Sequence, residues 1–396
     1  MTDVDAVVAA AHQSDWGRIV AGLIRLTGDW TVAEDATQDA FTAALARWPV
    51  DGIPTRPAAW LTTVARNRAI DVLRARTNQQ EKLHLLGVDQ GTNGEGNAAD
   101  DRLRLIFTCC HPALPLSARV ALTLRTVAGL SVADIAAAFL VPEPTMAQRL
   151  VRARRKIAHA AIPYRVPPDQ LLGERLEGVL AVNYLVFNTG YSGGSSTELT
   201  STAIVLSEAV VDLMPRESEA RGLLALMLLH NSRQHARFSS AGELLTLEEQ
   251  DRSLWNATDI DRGRAMLATT TARGPYVVQA SLAECHAVAP TPAQTDWDRI
   301  VSLYDELVAL SPSPIAWFNR AIAVGMRDGP DAGLSLLDEL PRELDGFRLV
   351  PAARADLLRR AERIPEAIAQ YREAIPLAAT DTERAQLWRK LSELND

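Results

Sequence analysis

Between residues 120 and 157 (VALTLRTVAGLSVADIAAAFLVPEPTMAQRLVRARRKI) apolar positions follow a helical period twice, with a break between. In the first of these helices Ile135, Ala136 and Phe139 share one face. Ser131 is placed to accept from the backbone N–H groups of the opening turn, and Asp134, three residues on, completes a capping box. The prolines of Val141-Pro142-Glu143-Pro144 remove backbone donors and restrict the residues before them, so a second helix is expected to start near Thr145. Its Met146, Leu150, Ala153 and Ile157 recur at helical spacing and should pack inward, leaving Gln148, Arg149, Arg152, Arg155 and Lys156 outward. Two helices joined by so short a turn cross steeply. An outward basic face at that angle suits a DNA major groove: arginine forks grip phosphates or guanine edges, Gln148 can read adenine, and Thr145 can meet a phosphate.

Two helical blocks lie upstream. In residues 29–48 (DWTVAEDATQDAFTAALARW) Val32, Ala36, Ala40, Ala44 and Leu45 line an inner face, and Asp35, Gln38 and Asp39 fall on the outer one, an acidic surface for a basic partner. In residues 57–76 (PAAWLTTVARNRAIDVLRAR) Trp60, Val64, Ile70 and Leu73 are spaced for a core. Arg66, Asn67, Arg68, Arg74 and Arg76 supply backbone-tracking charge and polar base contacts. Melting DNA takes an apolar wedge, for which Trp60 is the candidate, although a tryptophan on an apolar helix face more often belongs to the core.

At these blocks the chain resembles the extracytoplasmic-function (ECF) sigma factors, bacterial initiation factors that carry only the second and fourth conserved sigma domains. Glu34, Asp35, Gln38, Asp39 and Phe41 stand where that family has its core-polymerase-binding helix. Trp60, Leu61, Ala65, Arg66, Asn67, Ala69, Ile70, Asp71 and Arg74 stand where it has the helix that melts and reads the −10 element. The helix-turn-helix stands where the family's −35 reader stands, with Ala147 in place of a basic residue common there, which shifts weight to Arg149 and Arg152. The resemblance implies binding to core RNA polymerase, to double-stranded promoter DNA at both elements and to the melted −10 strand. It implies no catalysis by this chain, since the chemistry belongs to the polymerase, and no cofactor. A DNA-binding regulator working without polymerase would need only the helix-turn-helix and would leave both upstream blocks unexplained.

More than half the chain lies beyond these blocks. From residue 170 to 396 the pattern stays helical and carries a period: Ala321, Val324, Gly333, Leu337 and Leu340, in a unit opened by Trp317, are matched 34 residues later by Ala355 (beside Arg354), Leu358, Ala367, Tyr371 and Ala374. That is the period of tetratricopeptide (TPR) repeats, whose stacked helix pairs leave a concave face for a protein or peptide partner. A poorer unit with Tyr304, Leu307, Leu310 and Pro312 precedes them, and Gly222–His230 reads as a buried helix. ECF factors include a subgroup with a long TPR-like extension. The resemblance implies that the extension controls the sigma domains in place of a separate membrane anti-sigma factor.

The expected organisation is all-α: a region 2 domain over 1–76, a flexible linker over 77–100, a region 4 domain over 101–161, a proline-rich hinge over 162–169 and a TPR-like regulatory domain over 170–396. Charge sharpens the division. The chain carries a formal net charge of −8, yet residues 1–168 hold 19 Lys and Arg against 16 Asp and Glu, while the remainder holds 22 against 33. The basic front suits DNA and the acidic rear does not. No run of some eighteen apolar residues appears and the N-terminus is acidic where a signal peptide needs positive charge, so a cytoplasmic protein without membrane contact is expected.

Two motifs invite other chemistry. Gly190-Tyr191-Ser192-Gly193-Gly194 matches the G-x-S-x-G elbow of serine hydrolases, but no βαβ alternation follows NYLVF, and a loop between helices is expected. Cys109-Cys110-His111 holds metal-ligand types, but adjacent cysteines chelate poorly and only Cys285 remains elsewhere; a buried helix position is expected and no metal.

Overall fold

Every regular element in the computed structural model of the chain is a helix among the described residues, which are 3–79, 98–139, 141–192, 197–240, 242–340 and 347–394; one isolated bridge joins Phe238 to Leu244. The helices form two compact units, residues 1–215 and 216–396. The division therefore falls well after the expected hinge at 162–169.

The front unit runs α1 (Asp3–Thr27), α2 (Trp30–Asp51), α3 (Pro57–Gln79), α4 (Ala98–Cys109), α5 (Leu116–Leu122), α6 (Val132–Ala138), α7 (Glu143–His159), α8 (Asp169–Ser192) and α9 (Thr197–Leu213). Asp29 starts α2 by accepting from the N–H groups of Thr31 and Val32 at 2.9 and 3.1 Å. Val32, Ala33, Ala36, Ala40 and Ala44 are buried, and these small side chains let α1 and α3 approach α2 closely. Leu45, expected among them, is 47% exposed, and the inward position is taken by Phe41.

Three expectations about connections change. Of the linker 77–100, residues 80–97 lie outside the described residues, but its two ends are helical, in α3 and α4. The hinge is pinned: the Tyr164 hydroxyl donates to the Ala21 carbonyl of α1 at 3.0 Å. Beyond it, α8 and α9 pack against each other, and both pack against α4, so they belong to the front unit. The NYLVF stretch is part of α8 and not a strand; Gly193 and Gly194 lie outside the described residues.

The rear unit runs α10 (Ser218–Asn231), α11 (Ala257–Ala268), α12 (Pro275–Val288), α13 (Trp297–Leu310), α14 (Pro314–Asp328), α15 (Pro330–Asp338), α16 (Leu349–Arg360), α17 (Ile364–Ala374) and α18 (Asp381–Ser392). As the apolar run predicts, α10 is buried from Gly222 to Leu229. The 34-residue register appears as successive helix pairs, α14–α15 and α16–α17, with Ala321 and Ala355, Val324 and Leu358, Gly333 and Ala367, and Leu337 and Tyr371 buried at equivalent points. Small residues are needed where the helices of a pair cross: a Cβ on Gly333 would stand 2.7 Å from the Gly325 Cα. Trp317 departs from the pattern and is 41% exposed. Among the described residues no helix is long and apolar enough to cross a membrane.

Candidate nucleic-acid interface

Ser131 caps the helix as expected, the Asp134 N–H donating to Ser131 Oγ at 3.1 Å, while the Asp134 carboxylate accepts from the Ser131 hydroxyl. The second helix of the pair, α7, begins at Glu143, two residues before Thr145, with Pro144 in its first turn, where a missing N–H breaks no intrahelical bond. The two faces of α7 separate cleanly: Met146, Leu150, Ala153 and Ile157 are buried, while Thr145, Gln148, Arg152, Arg155 and Lys156 are exposed. Arg149 is half-buried with its guanidinium 5.4 Å from the Phe139 ring centroid, and Arg152 donates to Gln148 at 3.2 Å. Both arginines are thereby held along the outer face at little rotamer cost.

In the same unit, α2 and α3 border a groove of about 470 Å³ lined by Asp35, Gln38, Asp39 and Arg68. Arg68 and Asp39 pair at 2.7 Å, joining a residue from each expected surface; this pair is exposed, and its hydrogen bond and the Asp39 charge raise the Arg68 pKa. Arg66, Asn67, Asp71 and Arg74 are exposed along α3, whereas the Arg76 side chain lies outside what is described. Trp60 is partly covered by Trp48, edge to face at 5.5 Å, so one side of its ring belongs to the core.

Two residues expected on the polymerase-binding surface point inward. Phe41 packs near His12 and Trp16 at centroid distances of 5.1 and 6.0 Å. Glu34 is 2% exposed and lies between regions 2 and 4, which dock on each other. Its carboxylate accepts from both Arg154 of α7, at 2.7 and 2.8 Å, and Arg125 at 3.1 Å, and from the Thr126 hydroxyl at 3.0 Å. Arg125 and Thr126 are consecutive, and they reach one carboxylate from a π-helical turn, Thr123–Val127, that continues α5. The docking is close: a Cβ on Gly17 would sit 2.5 Å from the Val127 carbonyl oxygen, and the Trp16 indole donates to the Thr126 carbonyl at 3.2 Å. Arg125 and Arg154 are absent from any reading of one helix face at a time. The available signal was the position of Arg154 directly after the inward Ala153.

Cys109 and Cys110 are buried in and just after α4, as expected of a helix position. Burial pushes both thiols up, Cys110 to about 11 despite its 3.6 Å contact with the Thr123 hydroxyl, so both stay protonated at neutral pH. His111 serves the following turn, its Nδ1 accepting from the Ala113 N–H at 3.1 Å.

Residues 15–79 match the Sigma-70 region 2 family and residues 104–157 the Sigma-70, region 4 family. The ECF RNA polymerase sigma factor SigL of Mycobacterium tuberculosis is 36% identical over 138 residues, 34% of this chain and 77% of that protein. The chain belongs to the ECF sigma factors. ECF RNA polymerase sigma factor SigC of the same species is 29% identical over 43% of this sigma factor and 86% of its own length. An uncharacterized protein of Rhizobium meliloti is 40% identical along all of this chain and 97% of its own, so the rear half is shared as well. Residues 175–271 match a family of unknown function (DUF6596), which spans the division between the two units. No solved structure matches the sigma factor.

Proposed function

We propose that this sigma factor binds core RNA polymerase through the exposed acids of α2, places α7 in the major groove of the −35 element, and opens and holds the −10 element along α3. In this reading Asp35, Gln38 and Asp39 carry the polymerase contact. Gln148, Arg149, Arg152, Arg155 and Lys156 carry −35 binding, with Thr145 at the helix start. Arg66, Asn67, Arg68, Asp71 and Arg74, with Arg76 beyond them and Trp60 as wedge, carry the −10 contacts. The chain itself catalyses nothing, and the TPR-like rear unit binds a protein or peptide partner and regulates the front. The observation that carries the reading is the separation of α7 into a buried apolar stripe and an exposed basic one, beside a second exposed surface on α2 and α3.

Run-off transcription with purified core polymerase tests it, comparing the full chain with one ending after Pro215 on the promoter upstream of its own gene. Ending at 169 would strip α8 and α9 from the front unit. Transcripts dependent on the protein are expected, and the difference between the two chains gives the sign of rear-unit control. Specific DNA retention without transcripts from either chain would reject the sigma reading in favour of a polymerase-independent regulator.

Replacing Arg149 and Arg152 together by alanine is expected to weaken promoter binding and to flatten its salt dependence. The logarithmic slope should fall by about 0.9 for each phosphate that the variant no longer neutralises. An unchanged slope in a binding titration from 50 to 200 mM salt would show that these two residues do not meet the DNA backbone.

A further inference from the structure

A groove of about 600 Å³ opens on the rear unit, floored by Phe318, Ile322 and Met326 of α14 and Leu349 and Leu357 of α16. Its occupant at one side is a turn of the chain itself. Between the Phe238–Leu244 bridge and α11, the turn Thr246–Glu249 is closed by the Glu249 N–H donating to the Thr246 carbonyl at 3.1 Å. Its base is fastened by Arg252, which donates to the carbonyls of His286 and Ala289 at 2.6 and 2.7 Å and stacks 4.6 Å from the Trp255 ring centroid. The tip carries two adjacent carboxylates outward onto the repeats: Glu248 on Arg360 of α16, and Glu249 on Arg389 of α18 at 2.7 Å. These contacts join residues 112 and 140 positions apart, so they reflect what the groove accepts and not local turn geometry.

Beside the turn there is donor capacity that it does not use. Nε of Arg252, and Nε and Nη2 of Arg389, are buried without a hydrogen-bond acceptor among the described residues. A guanidinium offers five N–H donors in a fixed fork matched to carboxylate oxygens. The floor is apolar, the wall carries Arg252, Arg359, Arg360 and Lys390 together with the acids Asp356 and Glu393, and the carboxylates now in place are held by half-exposed ion pairs, which are individually weak and exchangeable.

We propose that this groove docks a partner protein's peptide segment in which an apolar residue precedes two adjacent carboxylates, and that Leu247-Glu248-Glu249 is an internal stand-in which such a segment displaces. The apolar residue fills the floor over Phe318 and Leu357, and the carboxylates take Arg360 and Arg389. Burial alone would raise the Glu249 pKa, yet hydrogen bonds from Arg389 and Thr246 bring it to about 2, so the site holds a carboxylate in its charged form. The inference deepens, and rests on, the reading of the rear unit as a partner-binding module; it does not depend on sigma activity.

The test is fluorescence anisotropy with a labelled peptide of sequence ELLTLEEQD, titrated with the full chain and with a Glu248→Ala, Glu249→Ala double variant. Removing the internal carboxylates should tighten peptide binding by roughly tenfold or more, because a tethered competitor acts at high effective concentration. Adding Arg360→Gln and Arg389→Gln to the vacated chain should reverse that gain, and a peptide with lysine in place of both glutamates should not bind. Equal affinity of the acidic and lysine peptides for the vacated chain, or no gain on vacating it while circular dichroism shows the helices intact, would overturn the proposal. Run-off transcription separates the two readings: a difference between the full chain and residues 1–215, with no peptide binding, retires the acidic-peptide docking site and leaves rear-unit control standing.

Discussion

Replacing Glu34 by alanine is expected to destabilise the docking of region 2 on region 4 by about 3 kcal/mol. The Glu34 carboxylate is a buried anion satisfied from two arginines and a hydroxyl that lie 91 to 120 residues away in sequence. Removing it leaves the Arg125 and Arg154 guanidiniums facing one another at a site from which water is largely excluded. Their 15% and 20% side-chain exposure lets water reach them in part, which puts the cost near the low end of the range for breaking buried ion pairs. Glu34→Gln, which keeps the shape and an acceptor for Thr126, should cost less. Hydrogen exchange read on peptides from α2 and α7 measures this locally, and about 3 kcal/mol corresponds to a roughly hundredfold loss of protection. Protection unchanged within a few-fold would show that the network does not hold the two regions together.

The same residue marks the limit of what one-dimensional reading supplies. Helical periodicity assigns a face to each side chain, and on α7 it assigned them correctly: Met146, Leu150, Ala153 and Ile157 in, Gln148, Arg152, Arg155 and Lys156 out. Capping chemistry is local too, so Ser131 with Asp134 could be read directly. The 34-residue register was legible because buried positions recur from one helix pair to the next, with Gly333 matched by Ala367 and Ala321 by Ala355. What periodicity does not carry is the identity of the element on the far side of a face. Glu34, placed on the polymerase-binding helix by the family resemblance, was not seen to face region 4, from which its partners come, and α8 with α9 was assigned to the rear although both pack against α4. The start of α7, two residues before Thr145, takes Pro144 into its first turn, where a proline supports a helix and does not end it. The turn at 246–249 carries no periodic signal at all, because it is held by side chains at 360 and 389.

In the rear unit, lowering the pH from 7 to 5 is expected to destabilise the packing of α10 and α12 by about 3 kcal/mol, through two histidines held neutral. Burial lowers the His230 pKa to about 3, helped by the charges of Arg233, Arg237 and His286; burial lowers that of His286 to about 4, helped by Arg233 and Arg252. Geometry agrees, since Arg233 can only donate and stands 3.3 Å from His230 Nδ1, which must then be the unprotonated acceptor. Both folded values lie below the ordinary 6.5 of an unfolded chain, so between 6.5 and about 4 the unfolded state binds protons that the folded state refuses. Stability is therefore present in full above pH 6.5 and falls as the pH drops through that window. Each group would contribute about 2 kcal/mol at pH 5 if wholly shielded, and their partial exposure brings the pair nearer 3 in total. The ion pair of Glu249 with Arg389 does not contribute here, because its carboxylate stays charged down to about pH 2. Urea midpoints for α10 and α12, followed by pulsed hydrogen exchange at pH 7 and 5, read the effect on the full chain. His286→Gln should remove roughly half of the acid sensitivity while leaving the pH 7 midpoint little changed. A midpoint independent of pH in the parent chain would mean that both imidazoles can take up a proton in place, with Arg233 moving aside to release them.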